Sequence, residues 1–285
     1  MASSKPIIIF HSPCPDGFGA AYAAWKKFGA EAEYVGLSHG NALHVDVRDR
    51  DVFILDFSFK RNMMDMLASK ARTLLVIDHH KTAQEDLAGF PHAIFDMQKS
   101  GARLAWEFFH PFIPVTPLLL YVEDRDLWNW SLPGSENFLS YLDTQPQNFT
   151  TWDQLASMSY DEVTRICEAG AQMNAKFGHL ASALATSAER VHFCGVVGHR
   201  ANIPAVFTSK VGEILYEKNG TFALLWRIEF GVLAVSLRAK KGGVDVSQMA
   251  KAYGGGGHAA AAAFKIPINS PSFNSFMKDV ILQSF

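Results

Sequence analysis

The stretch Thr73-Leu-Leu-Val-Ile-Asp-His-His80 decides the fold of this chain, because it joins a short apolar run to three polar side chains. The apolar part, residues 73–77, has the length and composition of a buried β-strand. The polar part, Asp78, His79 and His80, follows where that strand would end. Parallel sheets collect functional groups at the carboxyl ends of their strands, so this stretch predicts both a sheet and a site.

Two earlier segments repeat the pattern. The apolar residues 6–10 lead into the segment from His11 to Gly17, which contains Cys14 and Asp16, and the apolar residues 52–55 lead into Asp56. Parallel strands would bring these side chains to one crevice although they are far apart in sequence. Oxygen and imidazole ligands gathered in this way indicate bound metal ions.

Helical stretches separate the apolar runs. Phe18–Phe28 has helical spacing and ends at Gly29, a residue type that commonly terminates helices. Arg61–Arg72 is typical of a crossover helix. The alternation of strand and helix predicts an α/β fold with a parallel N-terminal sheet.

From Ser100 onward the pattern becomes helical. Ser100-Gly101 is interpreted as a helix start rather than as a nucleophile, because no general base stands beside it in sequence. Further helices are predicted at residues 101–109, 117–128, 135–142 and 151–158, and a long one at 160–189.

A smaller α/β domain is predicted after residue 190. Its strands are expected at residues 191–198, 221–229, 232–238 and 264–268, and its helices at 246–253 and from Ser270 onward. Between helix and strand lies the glycine-rich segment 254–258. The predicted organisation is a catalytic domain at 1–158, a helical connector at 159–190 and a substrate domain at 191–285, with the active site in the cleft between the domains.

The charge balance limits the classes of partner. The formal net charge of the 285 residues is −2, which lacks the basic footprint of a protein that grips long nucleic acid. No apolar stretch has the length of a membrane span, and residues 1–5 lead into a strand without a signal-peptide core. Three cysteines without paired spacing argue against a disulfide framework. We therefore expect a cytoplasmic protein with no membrane partner; a homodimer is left open.

Taken together, the motifs resemble the DHH phosphoesterase superfamily, specifically members with a DHH-associated C-terminal domain such as oligoribonucleases and small-nucleotide phosphodiesterases. The resemblance covers nearly the whole chain. It is carried, in chain order, by His11, Asp16-Gly17, Asp56, Asp78-His79-His80, Val122–Asp126 and Gly254–His258.

The resemblance implies a centre with two Mn²⁺ ions. Asp56 would bridge both ions, with His11 on the first and Asp16 and His79 on the second. The ligand aspartate of the family's fourth motif usually precedes an aromatic residue by four positions, so the resemblance implies Asp124, four positions before Trp128, rather than Asp126 as a further ligand. Asp126 and Cys14 are kept as additional candidates.

The resemblance also implies roles in catalysis and substrate binding. His80 would face the substrate phosphate as a donor or general acid, and Asp78 would orient the histidine pair. The phosphate would be bound in the C-terminal domain, where a flexible glycine loop can point N–H groups at an anion. The residues implied there are Arg238, Gly255, Gly256, Gly257 and His258.

Two positions depart from the family pattern. Cys14 stands where an aspartate is usual, and a thiolate is a softer ligand that favours zinc over manganese. Ala259–Ala263 follow the glycine segment where polar and special-backbone residues are usual. These departures concern the first metal site and the nucleotide end of the pocket.

The predicted function is that of a metal-dependent phosphohydrolase, which cleaves short oligonucleotides to nucleoside 5′-monophosphates. A linear or cyclic dinucleotide and 3′-phosphoadenosine phosphate are alternative substrates. A nucleotide-binding protein that has lost turnover through Cys14 is an alternative of another class. Inorganic pyrophosphatase activity is disfavoured by the glycine segment.

Overall fold

The computed structural model describes residues 5–38, 40–218 and 220–282, so the N-terminal residues 1–4 lie outside the described residues. The chain divides into two compact units, residues 1–174 and 175–285. The division falls inside the predicted connector 159–190. No helix of the described residues combines the length and apolarity that a bilayer crossing requires.

The N-terminal unit is built on a parallel sheet. Its strands are β1 (Ile7–His11), β2 (Glu33–Leu37), β3 (Asp51–Leu55), β4 (Thr73–Asp78) and β5 (Ala93–Phe95). Their order across the sheet is β2-β1-β3-β4-β5, and every neighbouring pair is parallel. The α/β class and the parallel sheet predicted from the sequence are confirmed.

The chain direction across the sheet reverses at β1, because β2 lies on one side of it and β3 on the other. Such a reversal opens a crevice at the carboxyl ends of the two central strands. His11 ends β1, and Asp56 directly follows β3. The fold thus places these two residues beside the crevice.

Helices cover this sheet on both faces. They are α1 (Pro15–Phe28), α2 (Arg61–Lys70), α3 (Lys81–Asp86), α4 (Gly101–Phe109), α5 (Pro117–Asp126), α6 (Ser135–Leu142), α7 (Phe149–Ala156) and α8 (Tyr160–Ala185), which continues into the second unit. Ile8 and Phe10 of β1 pack with α1 and α4, whereas Ile7 and Ile9 pack with α2. Because both faces are covered, β1 is a continuous apolar run rather than an alternating one.

The C-terminal unit contains a mixed six-stranded sheet. Its strands are β6 (Glu189–Phe193), β7 (Val196–Asn202), β8 (Phe222–Glu229), β9 (Val232–Ala239), β10 (Gly256–Gly257) and β11 (Ala261–Pro267), in the order β10-β11-β9-β8-β7-β6. Besides the end of the long helix α8, this unit contains α9 (Thr208–Lys218), α10 (Val246–Lys251) and α11 (Pro271–Phe276).

One predicted strand is split in the structure. The prediction placed a single strand at residues 191–198, but Cys194 and Gly195 both have positive φ and form a turn between β6 and β7. The sequence signal for this hairpin is a single glycine, which is why it was missed. The predicted hairpin at Phe230-Gly231, in contrast, is confirmed between β8 and β9.

Candidate metal centre

Carboxylates and imidazoles meet at the carboxyl ends of β1, β3 and β4. Asp56 lies at the middle of this cluster: its Oδ2 atom is 3.5 Å from Nδ1 of His11, and its Oδ1 atom is 3.2 Å from Nε2 of His79. Asp56 is 1% exposed and has a φ of 52°, a left-handed conformation that is uncommon for a residue other than glycine. Strained backbone of this kind is concentrated at functional sites.

Two helices contribute further carboxylates. Asp16 lies in the first turn of α1 and Asp126 is the last residue of α5, and an Oδ2 atom of each is 3.4 Å from Nε2 of His79. Asp16, His79 and Asp126 therefore have potential ligand atoms within 4.8 Å of one another. We call these three residues the Asp16 set.

A second set lies on the other side of Asp56. His11, Cys14 and Asp56 also have potential ligand atoms within 4.8 Å of one another. We call these three residues the Cys14 set. Asp56 belongs to the Cys14 set, and its other oxygen faces His79, so the two sets meet at the Asp56 carboxylate.

The charges of the cluster fit divalent cations. Burial, followed by repulsion from Asp56, raises the pKa of Asp16 well above its ordinary range. Burial raises the pKa of Asp126 as well, and Asp56 contributes to that rise. The buried oxygens Asp56 Oδ1 and Asp126 Oδ2 accept no hydrogen bond of regular geometry from the described residues. Cations would balance the excess negative charge and coordinate these oxygens.

The neighbouring carboxylates favour the charged form of the His79 imidazole. Burial alone would lower the pKa of His79, but Asp126, Asp56 and Asp16 outweigh it and raise the pKa well above the ordinary value. Burial likewise opposes ionisation of Asp56, yet the imidazoles of His11 and His79 hold the pKa of Asp56 far below its usual range. Asp56 is therefore the carboxylate of the cluster that stays charged most readily.

Asp78 positions the second histidine of the pair. Its Oδ1 atom accepts the backbone N–H groups of His79 and His80, at 2.7 and 3.2 Å, and lies 2.7 Å from Nδ1 of His80. Although burial by itself lowers the pKa of His80, the Asp78 carboxylate raises it above the ordinary value. His80 is thus oriented and favoured in its protonated form, which is a hydrogen-bond donor.

The start of α4 fixes Asp16. The backbone N–H groups of Gly101 and Ala102 donate to the two oxygens of Asp16, at 2.7 and 2.9 Å. Ser100 caps this helix by accepting the N–H of Arg103, so its interpretation as a helix start is confirmed. The sequence analysis missed the partnership between α4 and Asp16, because no motif connects residues 85 positions apart.

A buried glutamate braces the same helix start. Glu123 accepts the backbone N–H of Ser100 at 3.1 Å, and its other oxygen binds the guanidinium of Arg103 at 2.8 Å. Glu123 belongs to α5, the helix that also carries Asp126. The brace therefore ties α4, whose first N–H groups hold Asp16, to α5, which carries Asp126.

The sequence analysis preferred Asp124 over Asp126 as a metal ligand, but in the structure it is Asp126 that lies near His79. The carboxylate of Asp124 accepts the backbone N–H groups of Ser131 and Leu132, at 2.9 and 3.1 Å, and the Ser131 hydroxyl. It holds the turn after α5 and lies outside the two ligand groups. Residues two apart on a helix point in nearly opposite directions, so only one of the two aspartates can face His79, and this one is Asp126.

Arg238 is the notable cation of the C-terminal unit. It lies on β9, where its guanidinium donates to the Ser209 hydroxyl at 3.3 Å and to the carbonyl of Leu237 at 3.0 Å. Burial lowers the pKa of Arg238 to about 10. No carboxylate among the described residues forms an ion pair with Arg238, a situation that favours an external anion as its partner.

The glycine-rich segment is more ordered than the predicted flexible loop. Gly256 and Gly257 form β10, which pairs with Ala263 and Ala262 of β11. A Cβ at residue 255 would lie 2.1 Å from the carbonyl oxygen of Ala263. Glycine is required here for close backbone approach to β11, and Ala262 is buried in the core beneath it. His258 follows in a tight turn, where its N–H donates to the carbonyl of Ala261 at 2.8 Å.

Comparison with known proteins identifies the C-terminal part of the chain. Residues 196–283 match the family model of the DHHA1 domain. In the N-terminal unit, the Asp-His-His sequence lies at the end of a strand of a parallel sheet, as the resemblance implied. Residues 196–283 therefore match the C-terminal domain that the resemblance to the DHH phosphoesterase superfamily implied. The matched domain includes Arg238 and the segment from Gly254 to His258.

Solved structures share the fold of this protein over nearly the full chain. A pGpG-specific phosphodiesterase, PggH from Vibrio cholerae, is 14% identical with a TM-score of 0.50, covering 96% of this chain and 100% of that one. An exopolyphosphatase-related protein from Bacteroides fragilis is 13% identical with a TM-score of 0.50, covering 97% of this chain and 91% of that one. At these identities the likeness shows the fold alone.

A curated relative is closer in sequence. Uncharacterized protein R106 of Acanthamoeba polyphaga mimivirus is 28% identical over 292 residues, which cover 90% of this chain. The match spans 66% of the viral protein, so this chain corresponds to slightly less than two thirds of that relative's length.

Proposed function

We propose that this protein is a metal-dependent phosphohydrolase that cleaves short oligonucleotides to nucleoside 5′-monophosphates. The observation that carries the proposal is that two ligand groups meet at the buried carboxylate of Asp56, with the ring of His80 held beside them by Asp78. Paired divalent ions, when bound, supply a deprotonated water and neutralise charge on the phosphoryl group. Mn²⁺ suits the Asp16 set because carboxylate oxygens are hard ligands.

The protein's own residues have distinct tasks in this proposal. Asp56 holds the centre together, since its two oxygens face His11 and His79. His80 donates a hydrogen bond to a phosphoryl oxygen or a proton to the leaving group, and Asp78 keeps its ring in place. The N–H groups at the start of α4 hold Asp16 with both of its oxygens engaged.

Substrate binding is assigned to the DHHA1 domain. Arg238 would pair with a substrate phosphate, because its guanidinium has no carboxylate partner among the described residues. His258 and the backbone of Gly255, Gly256 and Gly257 remain proposed contacts to the same anion. The net charge of −2 favours a substrate with few phosphates, since long strands require extended basic grooves.

A linear dinucleotide is the second candidate substrate. It is supported by the similar fold of PggH, which acts on the linear dinucleotide pGpG. Cyclic dinucleotides and 3′-phosphoadenosine phosphate would present the same phosphate chemistry to the site. The substrate class therefore has to be determined by turnover of a panel that contains all of them.

The test uses purified protein with Mn²⁺ and a panel of short RNAs, a linear and a cyclic dinucleotide, and phosphoadenosine phosphate, with products separated by chromatography. Release of nucleoside 5′-monophosphates from short RNAs supports the proposal. The variant Asp56→Asn should abolish turnover, whereas Asp65→Asn, on the exposed side of α2, should not. Tight binding of these ligands without turnover would contradict the proposal and favour a nucleotide-binding protein.

A further inference from the structure

The two ligand groups around Asp56 differ in chemical hardness. The Asp16 set provides carboxylate oxygens from Asp16 and Asp126 and one imidazole, from His79. The Cys14 set provides one sulfur, one imidazole and one carboxylate, from Cys14, His11 and Asp56. Oxygen ligands suit Mn²⁺ and Mg²⁺, whereas a sulfur ligand beside an imidazole is typical of sites that bind Zn²⁺.

The backbone holds the thiol at this position. Cys14 directly precedes α1, and it lies between Pro13 and Pro15, of which Pro15 opens the helix. Proline fixes φ and restricts the residue before it, so the chain around Cys14 has little conformational freedom. Gly17, one turn further on, lies against His11: a Cβ there would come 2.2 Å from the carbonyl oxygen of His11. The segment that carries both His11 and Cys14 is therefore tightly folded onto itself.

The distances permit a single ion to contact all three residues. Bonds of about 2.0 Å to nitrogen or oxygen and about 2.3 Å to sulfur place tetrahedral ligand atoms about 3.5 Å apart. The observed separations are at most 4.8 Å, so small side-chain rotations would close the group. The carboxylate of Asp56 is 1% exposed, and its Oδ2 atom is 3.5 Å from Nδ1 of His11, so a buried charge faces this subsite without the hydration of a surface carboxylate.

We propose that His11, Cys14 and Asp56 form a thiolate-containing subsite for a borderline cation of the Zn²⁺ class, while Asp16, His79 and Asp126 take Mn²⁺ or Mg²⁺. The centre would then hold two different metals, in contrast to the expectation of Mn²⁺ at both positions. Binding converts the Cys14 thiol to a thiolate, and the displaced proton passes to solvent. The inference rests on the proposed metal centre but not on any particular substrate.

The other two cysteines provide matched controls. Cys167 is half-buried in α8 and packs against Gly134, and Cys194 is exposed in the turn between β6 and β7. Neither belongs to a ligand group among the described residues. Serine at either position should leave metal binding unchanged.

The experiment is titration of the metal-free protein with Co²⁺, a spectroscopic substitute for Zn²⁺. A thiolate ligand produces a sulfur-to-cobalt charge-transfer band in the near ultraviolet, which oxygen and nitrogen ligands do not produce. We expect this band in the wild type, in Cys167→Ser and in Cys194→Ser, and its loss in Cys14→Ser and Cys14→Asp. Competition by Zn²⁺ should remove the band, and Cys14→Ser should weaken Zn²⁺ binding because it removes a direct sulfur ligand.

The outcomes separate this inference from the proposed function. Cobalt bound with no charge-transfer band, or a band that persists in Cys14→Ser, would overturn the thiolate subsite but leave metal-dependent hydrolysis standing. Failure of the wild type to bind cobalt, zinc or manganese would overturn both. The variant Cys14→Asp guards against a folding defect: it should still bind Mn²⁺ while showing no charge-transfer band.

Discussion

Gly101 lies so close to Asp56 that a Cβ at residue 101 would come 2.5 Å from the Cβ of Asp56. The close approach lets the N–H groups at the start of α4 reach Asp16 while Asp56 stays within reach of His79. A glycine in the middle of the sequence thus sets the geometry of two carboxylates. Gly101 acts through these residues and is a positioning residue.

The variant Gly101→Ala tests this relationship. The added methyl group must displace Asp56 or the start of α4, at a cost of about 1–3 kcal/mol in the free energy of unfolding. We expect weaker metal binding and lower turnover, measured by calorimetric titration and product release. Gly178→Ala is the control: nothing lies within 4 Å of its Cβ position, and alanine at this site in α8 should stabilise by about 0.5–1 kcal/mol. Equal effects of the two changes on metal binding would contradict the positioning role.

Asp126 and Asp124 should separate metal binding from stability. Asp126→Asn removes a carboxylate whose pKa is raised by burial and by Asp56, so the metal-free protein should become more stable while activity is lost. Asp124→Ala removes the acceptor for the turn at Ser131 and Leu132 and should cost about 1–3 kcal/mol. Urea unfolding in chelator, together with metal titration, measures both effects. Normal metal binding by Asp126→Asn would remove that residue from the centre.

The stability of the metal-free protein should depend on pH in a defined direction. Asp16, Asp126, His79 and His80 all have a raised pKa in the folded state, so folding takes up protons at these groups. Their contribution to stability is present at low pH and is lost as pH rises through the folded pKa values. Asp56, whose pKa is lowered, contributes stability that is fully present above the ordinary carboxyl pKa and is lost only as pH falls below it, so its contribution stays constant at neutral and alkaline pH.

We therefore expect the melting temperature in chelator to fall as pH rises above the ordinary histidine pKa of about 6.5. With Mn²⁺ present the trend should reverse, because protons compete with the metal for the same ligands. Thermal unfolding followed by circular dichroism at several pH values gives both curves. A metal-free melting temperature that rises with pH above the ordinary histidine pKa would contradict the assigned charge states.

Asp78→Asn should act through His80. The change removes the charge that raises the pKa of His80, so the alkaline limb of the pH–rate profile should move to lower pH. Metal stoichiometry should stay at the wild-type value, since Asp78 engages the backbone of residues 79–80 and the ring of His80. An unshifted profile with reduced metal content would instead make Asp78 a ligand.

Arg238→Met should impair substrate binding. We expect KM to rise about tenfold or more while Mn²⁺ binding by the protein is unchanged, because loss of a charge-assisted contact costs about 1.5–3 kcal/mol. Arg227→Met is the matched control, since Arg227 pairs with Glu229 at 2.8 Å. Steady-state kinetics on the best substrate of the panel measures the difference. An unchanged KM would remove Arg238 from the substrate site.

The sequence predicted the framework of the site because that framework depends on local patterns. Apolar runs ending at His11, Asp56 and Asp78 identified three strands of the parallel sheet, and the structure brings their terminal residues together. Short or half-exposed elements such as β2 and β5 were not predicted, since they lack a continuous apolar run.

Contacts between helices were not readable from the sequence. The choice between Asp124 and Asp126 depends on the rotation of α5, and the hold of Gly101 and Ala102 on Asp16 depends on where α4 begins. The local pattern of polar and apolar residues shows neither the rotation of α5 nor the start of α4. The regular structure of the glycine segment was missed for the same reason, because it results from pairing with β11.

Anomalous diffraction from crystals grown with Mn²⁺ tests directly whether Asp56 lies at a metal centre. We predict an ion bonded to Asp56 and coordinated by Asp16, His79 and Asp126, with a second cation position at His11 and Cys14. Crystals saturated with Mn²⁺ that show no ion within bonding distance of Asp56 would contradict this prediction.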